Sequence, residues 1–223
     1  MVDNGPSQYS APGSGRRNGL SCFFYSTFVV KQYDEGQKGS EWLAIAPFAG
    51  RTAPACTLTH TANEKVITYP EWGGYFLGAK GRLVFFRAAD GFNAGMPFVV
   101  YDSKTETKVF EEDSFHDTSI FLQKAKSSPF NHMRVFEEEN DQFILKYLRV
   151  VEAGCDLHSE KSSCWESVRK TLKLQNTEVP VCTGYEGISA RFESAVAYPV
   201  EVTLFPKPVV KTIEGPVRCW PVD

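Results

Sequence analysis

The sequence is short of the features that announce a function. No apolar run approaches the length of a membrane-spanning helix. The first residues lack the charged-then-apolar layout of a signal peptide. Lysine and arginine number 24 against 27 aspartate and glutamate, and the two signs are intermixed. Without a basic stripe, nucleic acid is not an expected partner. There is no Cys-x-x-Cys pair, no Gly-x-Ser-x-Gly elbow, no His-Glu-x-x-His, and no glycine-rich loop followed by Lys-Ser/Thr. The four histidines, His60, His116, His132 and His158, lie far apart in the chain. These absences leave no recognisable nucleophile, metal or phosphate motif, and no cofactor is expected.

The cysteines are informative. Six are present (Cys22, Cys56, Cys155, Cys164, Cys182 and Cys219), an even number at scattered spacings. That pattern favours disulfides in an exported protein, secreted or periplasmic, over a zinc ribbon. Six buried thiols in a cytosolic protein is the competing reading, since a free cysteine packs as a small apolar residue. Cys155 and Cys164, with His158 between them and Cys182 further on, offer zinc-ligand types. A Cys155–Cys164 disulfide closing a small polar loop is preferred, and closing about ten residues contributes roughly 2.7 kcal/mol in the chain-entropy model.

The fold is most legible between residues 74 and 110. Short strands are separated by turns at Ala79-Lys80-Gly81, at 88–97 (Gly91, Asn93, Gly95) and at Asp102-Ser103-Lys104. In Leu83-Val84-Phe85-Phe86 and in Phe98-Val99-Val100-Tyr101, alternate positions are all apolar, so both faces require burial. A continuous apolar run marks a sheet covered on both sides, and the spacing leaves no room for covering helices. The fold class expected is all-β: antiparallel hairpins in several packed sheets, propeller-like or sandwich.

Around that block the pattern predicts a disordered leader over 1–19 and a single all-β domain over 20–223. Strands are expected as one long element from 22 to 34, then at 42–46, 56–60, 65–69, 120–122, 133–136 and 143–151. Further strands are expected at 179–182, 188–193, 200–205 and 209–213, with Pro206 and Pro208 marking a sheet edge. One helix is expected near 164–173, with Ser163 and Glu166 as a capping box and Trp165, Val168 and Leu172 on one face. Residues Val100-Tyr101-Asp102-Ser103-Lys104-Thr105 and Lys108-Val109 resemble the outer hairpin of a β-propeller blade. The resemblance covers about a fifth of the chain, and Glu106 stands where blade repeats carry a glycine.

Two groups of residues carry candidate chemistry. The long loop after the strand ending at Arg87 offers a guanidinium (Arg87), a carboxylate (Asp90), an aromatic face (Phe92) and an amide (Asn93), with Trp72 as a further stacking face. This set suits a polar small molecule or glycan at the rim of a rigid sheet. The alternative is that Asp90, Gly91 and Asn93 are plain turn residues and Phe92 plugs the sheet end. The second group is acidic: Glu111, Glu112, Asp113 and Asp117, then Glu137, Glu138, Glu139 and Asp141. Converging tips could hold Ca²⁺ or supply the two carboxylates of a glycoside hydrolase, but such runs are usually solvated. His116 between Asp113 and Asp117 is the most suggestive histidine. The leading expectation is an exported, non-catalytic binding or interaction module for a glycan, other polar molecule or protein partner. The alternatives are a secreted glycan-directed hydrolase and a structural or assembly protein.

Overall fold

A computed structural model describes residues 7–10, 19–49, 55–115, 134–138, 142–188 and 192–222. It is an all-β protein of antiparallel sheets with a single helix among the described residues. The chain divides into two compact units. Unit 1 takes Met1–Asp90 and Phe98–Glu111; unit 2 takes Gly91–Pro97 and Glu112–Asp223.

Unit 1 begins with a five-stranded antiparallel meander: β1 (Ser7–Ser10), β2 (Gly19–Phe24), β3 (Phe28–Asp34), β4 (Trp42–Pro47) and β5 (Lys65–Thr68), paired in chain order. Strand β1 falls inside the stretch read as a leader and pairs with β2 from Ser7↔Phe24 to Ser10↔Ser21. The expected long strand from 22 to 34 is two strands, because Tyr25 N donates to Phe28 O at 2.9 Å and reverses the chain there. The unit continues with β6 (Gly74–Lys80), β7 (Leu83–Ala88), residues 98–102 of β8 (Gly95–Asp102) and 107–111 of β9 (Thr107–Phe115).

These strands make a two-layer sandwich. Phe28, Val30, Leu43, Ile45 and Ile67 of the meander pack against Val84, Phe86, Val99 and Tyr101, with Trp72 in the same cluster. Period-2 alternation puts Leu83, Phe85 and Val100 on the opposite face of β7 and β8, and they are buried as well. The doubly apolar strands therefore do have two covered faces, as their sequence demands. In the β8–β9 turn, Asp102 Oδ1 accepts from Lys104 N at 2.9 Å and Asp102 O from Glu106 N at 2.7 Å. Glu106 itself takes φ 57, the left-handed position at which a blade repeat would carry glycine.

The outer face of the meander is covered by an irregular segment rather than the strand expected at 56–60. Cys56 is bonded to Cys22 of β2, and Lys31 of β3 donates to the carbonyls of Thr57 and Thr59. Residues 55–60 are in no strand.

Unit 2 is built on β12 (Ser194–Thr203), which pairs with β11 (Gln142–Glu152) over nine residues from Ile144↔Thr203 to Glu152↔Ala195. The other edge of β12 is shared by β13 (Val209–Thr212) and β14 (Arg218–Pro221). Strand β10 (Arg134–Glu138) pairs with β11, and Ser114 of β9 pairs with Arg149 of β11. Pro206 and Pro208 precede β13, which ends its sheet among the described strands.

The helix α1 spans Leu157–Leu172, starting well before the expected residue 164. Its N-cap is Asp156, whose Oδ1 accepts from His158 N at 2.9 Å and Ser159 N at 3.0 Å. The expected capping box does not form: Ser163 Oγ donates to Glu160 O, and Glu166 pairs with Arg169. A non-helical Lys161 (φ 35) interrupts the helix, so the segment after it has the periodicity that the sequence reading detected. Leu157, Cys164, Trp165 and Val168 form its buried face.

All six cysteines are paired, as Cys22–Cys56, Cys155–Cys164 and Cys182–Cys219. The zinc reading of Cys155, His158, Cys164 and Cys182 is thereby overturned, since a disulfide sulfur is no thiolate ligand. Two expected strands of unit 2 are absent among the described residues. Residues 179–182 make only the isolated bridge Cys182↔Cys219, and 188, 192 and 193 are irregular. The strand expected at 120–122, together with His116, Asp117, His132, Glu139 and Asp141, lies outside the described residues.

Candidate functional site

A hollow of about 450 Å³ opens in unit 2. One wall is the turn from Phe92 to Gly95, whose residues exchange both backbone hydrogen bonds, at 3.0 Å and 2.7 Å. Asn93 and Ala94 have φ 49 and 56, the mirror-image turn that a two-residue hairpin loop prefers. Gly91 is required just before it, because a Cβ there would lie 2.1 Å from the carbonyl oxygen of Gly95. The turn is clamped from below. Asn93 is 4% exposed; its Nδ2 donates to Glu152 Oε1 at 3.0 Å, and its carbonyl accepts from Trp220 Nε1 at 3.1 Å. Phe92, at 63% exposed, is left standing at the lip.

The opposite wall comes from the end of β9 and the end of β11. Glu112 and Asp113 face the hollow from β9, and Val150, Val151 and Glu152 from β11. The two strands meet at the Ser114↔Arg149 pair, and Ser114 Oγ ties β9 to the turn segment by donating to Met96 O at 3.2 Å. Arg149 Nη2 lies 2.7 Å from Glu112 Oε2. Burial works to lower the pKa of that guanidinium, but Tyr198 and Glu112 beside it raise it on balance, so Arg149 stays charged. Three carboxylates thus line the hollow, one of them paired with Arg149, which leaves it acceptor-rich and acidic. Its apolar surface is Phe92, Pro97 and the two valines.

The five residues expected to bind a ligand divide between the units. Phe92 and Asn93 line this hollow. The other three belong to unit 1. Trp72 is packed in its core cluster. Arg87 lies on β7 with its guanidinium 6.0 Å from the Tyr75 ring centroid. Asp90 is exposed and pairs with Lys38. From the acidic runs, Glu112 and Asp113 reach the hollow. Among the described residues no three His, Cys, Asp or Glu side chains are grouped so as to hold a metal ion. Glu152, Val150 and the clamping Trp220 were missed by sequence reasoning. No local pattern points to them, because they reach the turn only through the β11–β12–β14 pairing.

No known protein family, curated protein or solved structure matches the chain. Among the described residues no helix is long and apolar enough to cross a membrane.

Proposed function

We propose that this protein is an exported, non-catalytic binding module that holds a polar, hydroxyl-bearing small molecule, such as a glycan unit, in the hollow of unit 2. The observation that carries the reading is that an exposed Phe92 and three carboxylates line one open hollow. A sugar offers hydroxyl donors to Asp113, Glu152 and Glu112, and its apolar face suits an aromatic ring. The turn is pre-organised by Asn93, which lowers the ordering cost of binding. Export is supported by the pairing of all six cysteines, the usual state in an oxidising compartment.

The test is titration of the oxidised protein with a panel of soluble oligosaccharides, followed by calorimetry or amide chemical shifts. Binding is expected, weakened about tenfold or more by Phe92→Ala, since a buried aromatic contact is worth about 1.5 kcal/mol. A ligand whose affinity ignores Phe92→Ala and Glu152→Gln together removes the hollow as the site. The presence of Asp113 and Glu152 in one hollow favours a second reading, a glycan-directed hydrolase. Release of reducing ends from the same panel, abolished by Asp113→Asn, would select it.

A further inference from the structure

The outer face of unit 1 holds a buried amine. Lys31 is 1% exposed, and its register partners on either side are Cys22 and Ala44, both fully buried. Its Nζ lies 2.5 Å from Glu64 Oε1, and the Glu64 side chain is wholly buried. Two further Nζ contacts go to backbone carbonyls, Thr57 O at 3.3 Å and Thr59 O at 3.4 Å. The second carboxylate oxygen, Oε2, is 3.0 Å from His60 Nδ1. His60 packs edge-on against Trp42 at 4.5 Å between centroids and is partly open to solvent.

In the resting state this is an ion pair. Burial works to raise the Glu64 pKa, but the hydrogen bonds from Lys31 and His60 and the Lys31 charge outweigh it and hold it low. Two features make the pair more than a salt bridge. A buried ion pair is expensive to desolvate and contributes little net stability, so electrostatics alone is a weak reason for it. The partners are also arranged as reactants. Two N–H bonds are fixed on carbonyls, the third is directed at the carboxylate, and a donor sits on the far oxygen.

From this arrangement we propose that Lys31 and Glu64 condense to an intramolecular amide, a second staple beside the Cys22–Cys56 disulfide. A proton passes from Nζ to Oε1, leaving a neutral amine and a carboxylic acid. The freed lone pair on Nζ forms a bond to Cδ, and the carbonyl electron pair moves onto Oε2, where the His60 Nδ1–H stabilises it. Oε1 takes a second proton from Nζ and leaves as water, and the carbonyl reforms. Lys-NH₃⁺ and Glu-COO⁻ become one amide and one water, with no oxidant, metal or co-reactant. Holding the groups in contact substitutes for the concentration that an intermolecular condensation lacks, an effect of about 10⁵ M or more in well-oriented cases.

The test is intact mass after full reduction and denaturation, which removes the disulfides from the reading. The wild-type chain is expected about 18 Da below its sequence mass, one water. Its tryptic map should contain a branched peptide joining Lys31 to Glu64, with no cleavage after Lys31. Lys31→Arg should return to its full sequence mass. Glu64→Gln, whose leaving group is ammonia, should reach the same branched product with a loss of about 17 Da. His60→Ala should slow formation after refolding by about a hundredfold, the usual weight of one donor to a developing oxyanion. A wild-type chain at full sequence mass with trypsin cutting after Lys31 overturns the proposal. So does a Lys31→Arg chain that still loses water.

Discussion

The two units treat their carboxylates in opposite ways. In unit 1, the Glu64 side chain is wholly buried and its hydrogen bonds are internal, to Lys31, His60 and Thr61. In unit 2, Glu112, Asp113 and Glu152 border open space, with Glu112 paired to Arg149 and Glu152 accepting from Asn93 Nδ2. The difference teaches how to read an acidic residue. A carboxylate without solvent has to act on its own protein, by pairing, fastening or reacting. One that keeps solvent on one side retains acceptors for a ligand. Sequence alone ranks Glu112 and Asp113 above Glu64, because they belong to an acidic run and Glu64 stands in an unremarkable hairpin-like stretch.

Unit 1 relies on apolar burial on both faces of β7, and breaking that gives the largest expected effect. Phe85→Ala and Phe86→Ala should each cost about 3–5 kcal/mol in urea denaturation. Both side chains are buried, on opposite faces of the strand. One large and one small loss would mean that the second layer over β7 is loose, and unit 1 would then owe its stability to the sandwich cluster alone.

Unit 2 relies more on covalent ties, with two of the three disulfides. Replacing Cys182 and Cys219 together by serine opens a loop of 37 residues' separation. That should cost about 4 kcal/mol in the chain-entropy model, against about 2.7 kcal/mol for the Cys155–Cys164 pair. Thermal denaturation of the two double variants checks the order. An equal loss would show that unfolded-state entropy does not govern the difference. Mass spectrometry gives a direct check of the pairing itself: reduction and alkylation should find no free thiol before reductant is added.

How much of this was visible beforehand depends on whether the cause was local. The doubly apolar β7 and β8, the long β11 and the Cys155–Cys164 pairing could be read from neighbouring residues. The helix start was misplaced because Ser163 and Glu166 satisfy the capping pattern by composition. The group that caps the helix is Asp156, and Lys161 hides the connection by breaking the period. Phe92 and Asn93 were legible as a rim turn. Their partners Glu152 and Trp220 were not, since they are 59 and 127 residues away from Asn93 along the chain. The buried ion pair was invisible for the same reason: Lys31 and Glu64 are 33 residues apart, and neither sits in a pattern.

A smaller effect concerns pH. Burial works to raise the Asp156 pKa, but hydrogen bonds from Ser159 and His158 hold it below the ordinary aspartate value. A depressed folded-state pKa means stability that is present above the unfolded-state value and lost as pH falls through the folded one. Asp156→Ala should cost about 1 kcal/mol at neutral pH, the usual worth of an N-cap. The difference between wild type and variant should shrink only at pH below about 4, the unperturbed aspartate value. A difference that fades at higher pH would assign the stability to another group.

The smallest effect sharpens the comparison between turns. The β6–β7 hairpin of unit 1 puts Gly81 at φ 54, at no steric cost, whereas unit 2 puts Ala94 at φ 56 beside the hollow. An alanine in the left-handed region is strained by roughly 1 kcal/mol. Ala94→Gly removes that strain but also loosens the unfolded chain, which works against it by about 0.4–1 kcal/mol. The two nearly cancel, so Ala94→Gly should change stability by less than about 0.5 kcal/mol. The expected consequence lies in the site instead. The turn is fixed from below by Asn93, but a glycine beside it gives Phe92 more freedom at the lip. Oligosaccharide affinity should therefore fall severalfold, about twofold to fivefold, with stability unchanged. The equivalent Gly81→Ala in unit 1, at φ 54, falls under the same near-cancellation and should leave both stability and affinity nearly unchanged. If Ala94→Gly binds as tightly as wild type, the alanine is not there to hold Phe92, and the rigidity of the turn is no part of recognition.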